Sequence, residues 1–232
     1  ALIRYTAGYV RVFGFYLNFV LIATFLGMGV GLLRADDARR LRWLAIPAAV
    51  LLFGAVSWFA AATITVPADP DEFVWGIFVD PARLATRVPL SLVAVSLFTL
   101  SALFFVPLGA LLGEQFRQLP PLRAYAYDIL GSLTGILAFA LLSLLQQPPL
   151  VWFAIGFAVW VVVSLTDRRF AAALALTGAS ALVFVFTIRA DSAERWSPYY
   201  RIGVQREGRA LRVDVNGSLH QYIIDVDSVA SA

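Results

Sequence analysis

Residues 108–139 read LGALLGEQFRQLPPLRAYAYDILGSLTGILAF, and the fold turns on how this stretch is understood. An apolar segment closes on Gly109 and Gly113, a short charged turn is centred on Pro120 and Pro121, and a second apolar segment opens at Asp128 and carries Gly131 and Gly135. Glycines four apart lie on one face of a helix. In a bilayer, lipid tails give helices no hydrophobic reason to associate, so small residues at this spacing act by letting backbones approach closely. The stretch therefore reads as a helical hairpin within a membrane domain, with Glu114, Arg117, Arg123 and Asp128 clustered at its mouth. Ionisable groups near hydrocarbon pair with one another or serve a function. Two readings stay open: ion pairs between Glu114 and Arg117 (i,i+3) and between Arg123 and Asp128 that hold the clasp, or an organic-cation site built on Glu114 and Asp128. The first is the simpler.

Composition points the same way. Of 232 residues, 60% are hydrophobic and 14% charged, and the mean hydropathy is +0.80. Soluble domains carry about a quarter of their residues as charges. The chain is expected to be a multi-pass protein of a bacterial inner (plasma) membrane, with the lipid bilayer as its first partner. All 18 basic residues are Arg, which reflects a GC-rich genome more than a binding requirement. A net charge of +3, scattered along the chain, gives no nucleic-acid footprint. Without cysteine there are no disulfides, thiolate nucleophiles or zinc–thiolate sites, and a single His (His220) with a single Met (Met28) provides no haem, copper or other metal site. The opening residues lack the pattern of a secretory signal, and the last ones fall within strand-like sequence, so a segment of a longer protein is expected.

The expected fold class is mainly α, a polytopic transmembrane bundle of about six spans with a short C-terminal β segment that begins a soluble domain. The spans are read at residues 10–33, 43–64, 88–112, 129–145, 150–165 and 170–188. Pro107 should kink the third. Gly27, Gly29 and Gly31 alternate in the first span, but no strand precedes them, and glycine is common in membrane helices, so a phosphate loop is not indicated. Residues 66–87 carry Asp69, Asp71, Glu72 and Asp80 beside Phe73, Trp75 and Phe78; this reads as an interfacial aromatic loop, with an acidic vestibule as the alternative. The domain division is 1–189 for the helical part and 190–232 for the β part. Within the latter, residues 200–204 and 210–215 form a hairpin pattern, and Asn216-Gly217 reads as a type I′ turn leading into a further strand.

Arginine counts set the orientation. The turns after spans one, three and five hold Arg34, Arg39, Arg40, Arg42, Arg117, Arg123, Arg168 and Arg169, and are expected to be cytoplasmic. Six full crossings then leave the β segment outside; one incomplete crossing would return it to the cytoplasm.

Several runs carry a family resemblance: residues 1–33, the clasp FRQLPPLRAYAYDILGSLTGILAF followed by QQPPLVW, and the tail RWSPYYRIGV with LRVDVNGSLHQ. Together they resemble the membrane-fused spermidine synthase-like proteins, in which a polytopic region precedes an aminopropyltransferase-type domain with a methyltransferase-like Rossmann fold. The resemblance implies a further helix before Ala1 and the Rossmann domain after Ala232. It implies aminopropyl transfer from decarboxylated S-adenosylmethionine, the co-substrate, to a diamine such as putrescine. It places Gln221 as a nucleoside contact, one residue further from its glycine than usual, and Asp225 and Asp227 where acidic residues follow, although the usual Tyr-His-Glu is missing. The catalytic Asp and Gly-rich loop would lie beyond residue 232, so no catalytic residue is expected here and this segment alone is not an enzyme. The rival reading is a non-catalytic transporter or scaffold with a degenerate soluble domain. His220 alone on a strand reads as a surface residue rather than a base, and the aromatic trio Trp196, Tyr199 and Tyr200 reads either as an anchor at the exit from the membrane or, equally, as part of a path for substrate.

Overall fold

The computed structural model describes residues 1–14, 16–65, 87–187, 193–208 and 210–224. The chain is mainly helical: α1 (Leu2–Tyr9), a 3-10 turn (Arg11–Gly14), α2 (Leu17–Leu33), α3 (Ala38–Leu41), α4 (Ala45–Ala61), α5 (Leu90–Gln118), α6 (Pro121–Leu144), α7 (Pro149–Val163) and α8 (Arg168–Thr187). Between α4 and α5, β1 (Thr63–Thr65) and β2 (Arg87–Pro89) pair in parallel. A four-stranded antiparallel sheet ends the chain: β3 (Ala193–Trp196), β4 (Arg201–Glu207), β5 (Ala210–Val215) and β6 (Ser218–Ile224), in sequential order.

Among the described residues, four segments are long and apolar enough to cross a membrane: Ala35–Ala61, which runs through α3 and α4, Leu90–Gln118, Pro121–Leu144 and Arg168–Val185. Two more, Asn18–Leu33 and Pro149–Val163, are apolar but shorter. The expected first span is thus not one helix from Val10. The chain turns extended at Val10 and passes through the 3-10 turn before α2 begins.

The clasp also differs from its expected form. α5 continues to Gln118 and α6 starts at Pro121, leaving only Leu119 and Pro120 between them. Pro121 explains the early start, because its missing N–H is an orphan at a helix N-terminus in any case and its fixed φ is already helical. Glu114 and Arg117 therefore lie on the last turns of one helix, and Arg123 and Asp128 on the first turns of the next. Pro107 sits inside α5 and is buried, and the helix is continuous through it.

The core is built around Phe53 of α4, which makes edge contacts with Phe153 (4.7 Å between ring centres) and Phe104 (6.4 Å) and a tilted contact with Tyr5 (5.8 Å). Leu52 and Val56 of α4, Val93 and Leu97 of α5, and Phe170 and Leu174 of α8 are fully buried around it. The closest helix pair is α2 with α5. A Cβ added to Gly31 would stand 2.7 Å from the Ala110 backbone nitrogen, and one added to Gly109 would stand 2.9 Å from the Met28 carbonyl carbon. No side chain larger than hydrogen fits at this crossing, which is the use expected of small residues between membrane helices. Helix α6 is the opposite case: every residue from 125 to 138 is exposed, and among the described residues neither Gly131 nor Gly135 has a neighbour within 4 Å of an added Cβ.

In the sheet, Asn216 (φ 50°) and Gly217 (φ 77°) form the expected two-residue turn between β5 and β6. Left-handed backbone at both positions matches the twist of the flanking strands.

Candidate functional site

A cluster of aromatic and charged side chains joins the helices to the sheet. Arg4 of α1 lies against two tryptophans, 5.0 Å from the Trp152 ring centre and 5.4 Å from that of Trp196. Its guanidinium donates to Ser143 Oγ at 2.8 Å and to the Ser197 carbonyl oxygen. The two indoles meet edge to face at 5.0 Å, and Phe139 of α6 closes on Trp152 at 5.1 Å. One arginine thus ties α1, the end of α6, the start of α7 and the β3–β4 turn together. A guanidinium stacked on aromatic faces and bonded through its edge uses both recognition modes that distinguish Arg from Lys.

A second arginine completes the cluster. Arg201 of β4 donates to Glu194 Oε1 at 2.7 Å, and Tyr9 donates to Glu194 Oε2 at 3.0 Å. The Arg201 guanidinium also lies 4.6 Å from the Tyr9 ring centre. Trp196 is only 3% exposed and rests on Gly8, where an added Cβ would stand 2.6 Å from the indole Cη2. Arg11 donates to Ser218 Oγ at 2.9 Å, fixing the far end of the sheet to the 3-10 turn.

The Ser197–Arg201 run is locally self-supporting. Ser197 Oγ accepts from the Tyr200 N–H at 2.8 Å and donates to the Tyr200 carbonyl at 3.0 Å, and the Ser197 N–H donates to the same carbonyl at 2.9 Å. Asn216 then receives the Arg201 N–H on its side-chain oxygen at 3.0 Å and donates its own N–H to the Arg201 carbonyl at 2.9 Å. Trp196 is buried at the junction, whereas Tyr199 and Tyr200 are exposed.

The residues at the clasp are dispersed. Arg117 pairs with Asp36, in the turn after α2, and not with Glu114. Among the described residues no ion pair joins Arg123 to Asp128, and both are exposed. Two further bridges, Arg34–Asp37 (3.6 Å) and Arg42–Asp167 (2.5 Å), belong to the same end of the bundle. Asp167 also accepts the Arg169 and Phe170 N–H groups on Oδ1, both at 3.1 Å, and so caps α8. Its carboxyl is held below its ordinary value, first by the Phe170 N–H and then, against partial desolvation, by Arg42. Gly109 and Gly113 pack on α2 and the turn after it; Gly131 and Gly135 pack on nothing among the described residues.

In the sheet, Gln221 is exposed on the edge strand β6, and Asp225 and Asp227 lie outside the described residues, as do Asp69, Asp71, Glu72 and Asp80. The carboxylates described there are all paired: Glu194 with Arg201, and Glu207 (3.1 Å) and Asp214 (3.0 Å) with Arg212. No group of three or more His, Asp or Glu able to hold a metal occurs among the described residues. Sequence reasoning missed Arg4, Tyr9, Trp152, Glu194 and Arg201, whose partners are far away in the chain; the signal available was an Arg and two Tyr inside eight residues of an otherwise apolar start. No protein family matches the chain, and neither a curated protein nor a solved structure matches it.

Proposed function

We propose that this chain is the membrane platform of a spermidine synthase-like protein, a six-span helical bundle that holds a β module firmly at one end. One observation carries the membrane reading. Helix α6 exposes Leu130, Leu133, Ile136 and Leu137 within a run of about four turns, 125–138, in which every residue is exposed. Soluble monomers rarely leave apolar surface so continuous, whereas hydrocarbon covers it without penalty. At ~1.5 Å per residue, the shorter helices α2 and α7 reach most of the way across a ~30 Å core, and flanking turns complete the crossing.

The parent's reaction would be attack by an uncharged primary amine on the carbon next to a sulfonium. The C–N bond forms as the C–S bond breaks, the sulfur leaves as a neutral thioether, and the new ammonium releases a proton. Such a reaction needs an orienting site and carboxylates for cationic substrates. Gln221 and Asp225 are the positions in this chain proposed to contribute to binding the nucleoside side of the donor.

A scaffold or transporter without catalysis is the second reading. It is favoured by the pairing of Glu194, Glu207 and Asp214 with arginines, which leaves these carboxylates committed to the sheet. Incubating the full-length membrane protein with decarboxylated S-adenosylmethionine and putrescine separates the two. Spermidine formation that falls with Gln221→Ala supports the transferase; absence of product in membranes that retain the protein supports the scaffold.

A further inference from the structure

We infer that the β module faces the compartment opposite the cytoplasm. This rests on the membrane reading proposed above, and begins from the two ends of the bundle, which differ in chemistry. At one end, Asp36–Arg117 joins the turn after α2 to the end of α5, and Arg42–Asp167 joins the start of α4 to the α7–α8 turn. These contacts gather three of the interhelical turns at one level. At the other end, Arg4 joins α1 to Ser143 near the end of α6 and to Ser197 in the sheet, and Trp152 at the start of α7 meets Trp196. Each of α2, α4, α5, α6, α7 and α8 therefore runs from one end to the other. None of the six turns back midway.

The arginines of the connecting turns divide unequally. The three gathered turns and the helix ends beside them carry Arg34, Arg39, Arg40, Arg42, Arg117, Arg123, Arg168 and Arg169, eight in all, whereas the connections at the module end carry three, Arg83, Arg87 and Arg189. Arg39, Arg40, Arg123, Arg168 and Arg169 are exposed, as groups that meet anionic headgroups must be. The arginines of the module end do not oppose this. Arg4 and Arg11 are bonded within the junction, and Arg201 and Arg212 are neutralised by Glu194, Glu207 and Asp214; Arg195 and Arg206 are exposed but lie on strands of the folded sheet rather than in a connecting loop, and Arg209 lies outside the described residues. Orientation follows the Lys and Arg content of short connecting loops, while folded domains cross largely regardless of charge. The negative surface potential of the cytoplasmic leaflet favours the same placement. Any domain continuing from β6 then draws its substrates from the non-cytoplasmic side.

The chain lacks cysteine, so single cysteines report sidedness without background. Tyr199→Cys places a thiol on the exposed β3–β4 turn, and Thr166→Cys places one on the exposed α7–α8 turn. With a membrane-impermeant maleimide on right-side-out spheroplasts, Tyr199→Cys labels fully in intact cells and Thr166→Cys only after permeabilisation. The reverse pattern overturns the orientation, and labelling of both from one side overturns the opposition of the two ends. His220→Cys, exposed on β6, replaces the first variant should that one fail to accumulate. Combined Arg39→Gln, Arg40→Gln, Arg168→Gln and Arg169→Gln should give a mixed population, with part of the Tyr199→Cys label lost from intact cells. Alkaline carbonate extraction is done first: release of the chain would defeat the membrane reading itself, a failure distinct from inverted labelling.

Discussion

Helices α5 and α6 carry the same spacing of glycines on either side of one short turn, yet only one pair is used. On α5, Gly109 lies against the Met28 backbone and Gly113 brings an added Cβ within 2.9 Å of the Ala35 side chain. On α6, Gly131 and Gly135 meet nothing within 4 Å among the described residues. The difference lies in the receiving surface. α2 presents Gly27 and Gly31, also four apart, so two grooves without side chains face each other and the backbones close. Among the described residues no such groove faces Gly131 or Gly135. A small-xxx-small pattern permits close approach, but a partner of matching shape must supply the contact energy.

The junction offers a third glycine, Gly8, seated not on backbone but on the Trp196 indole. The largest effect is expected there. Trp196→Ala removes a buried ring shared by Arg4, Tyr9 and Trp152, and should cost ~3–5 kcal/mol, as large-to-small changes of buried aromatics do. Protease accessibility of the β module in detergent measures it. Cleavage within the sheet should appear while the bundle stays intact, and an unchanged pattern would show that the junction does not hold the module. Next in size is Gly109→Ala. Its new methyl meets main-chain atoms of α2, which cannot rotate away, and overpacking of this kind costs ~1–3 kcal/mol. Thermal unfolding in detergent should show a lower midpoint for this variant.

How much of this was legible follows from the range over which each feature acts. The apolar segments, the antiparallel hairpin and the Asn216-Gly217 turn depend on residues close in sequence, and periodicity and turn chemistry expose them. Helix ends were less legible. The hydrophobic run fades at Leu112, yet α5 continues to Gln118 because Glu114, Gln115 and Arg117 are good helix formers, and Pro121 restarts the next helix at once. Strand β3 escaped notice because four residues, one of them Trp, show no clear alternation; its partner β4 defines it. The junction was hidden most deeply. Arg4 finds Ser143 and Ser197 across 139 and 193 positions of chain. Arg117 chose Asp36, 81 residues away, over Glu114 on its own helix, since tertiary packing brought α2 and α5 together.

A smaller effect, confined to the arginine-rich end, comes from Asp167. Its folded carboxyl titrates below the usual carboxylate value, so its contribution to stability is complete above that value and is lost as pH falls through the lowered one. Acid unfolding of the intact protein should therefore show a component below about pH 4 that is absent in Asp167→Asn. That variant keeps an oxygen for the Phe170 N–H but gives up the charge that attracts Arg42. Arg42→Gln should shrink the same acid component without abolishing it, since the Phe170 and Arg169 N–H contacts stay in place; an unchanged component would show that the pairing contributes nothing.

The smallest change, and one of opposite sign, is predicted for α6. Alanine is favoured over glycine within a helix by ~0.5–1 kcal/mol, chiefly because glycine has more conformational freedom to lose. With nothing among the described residues within 4 Å of either site, Gly131→Ala and Gly135→Ala should each raise the unfolding midpoint slightly. Gly109→Ala, the same substitution in the same spacing, lowers it. A drop at Gly131 or Gly135 comparable to that at Gly109 would mean that α6 is received by another surface in the membrane, one that matches its glycines as α2 matches those of α5. Carrying out the substitutions in detergent and again in bilayers separates lipid contact from helix contact, because lipid tails adapt to an added methyl where a packed backbone cannot.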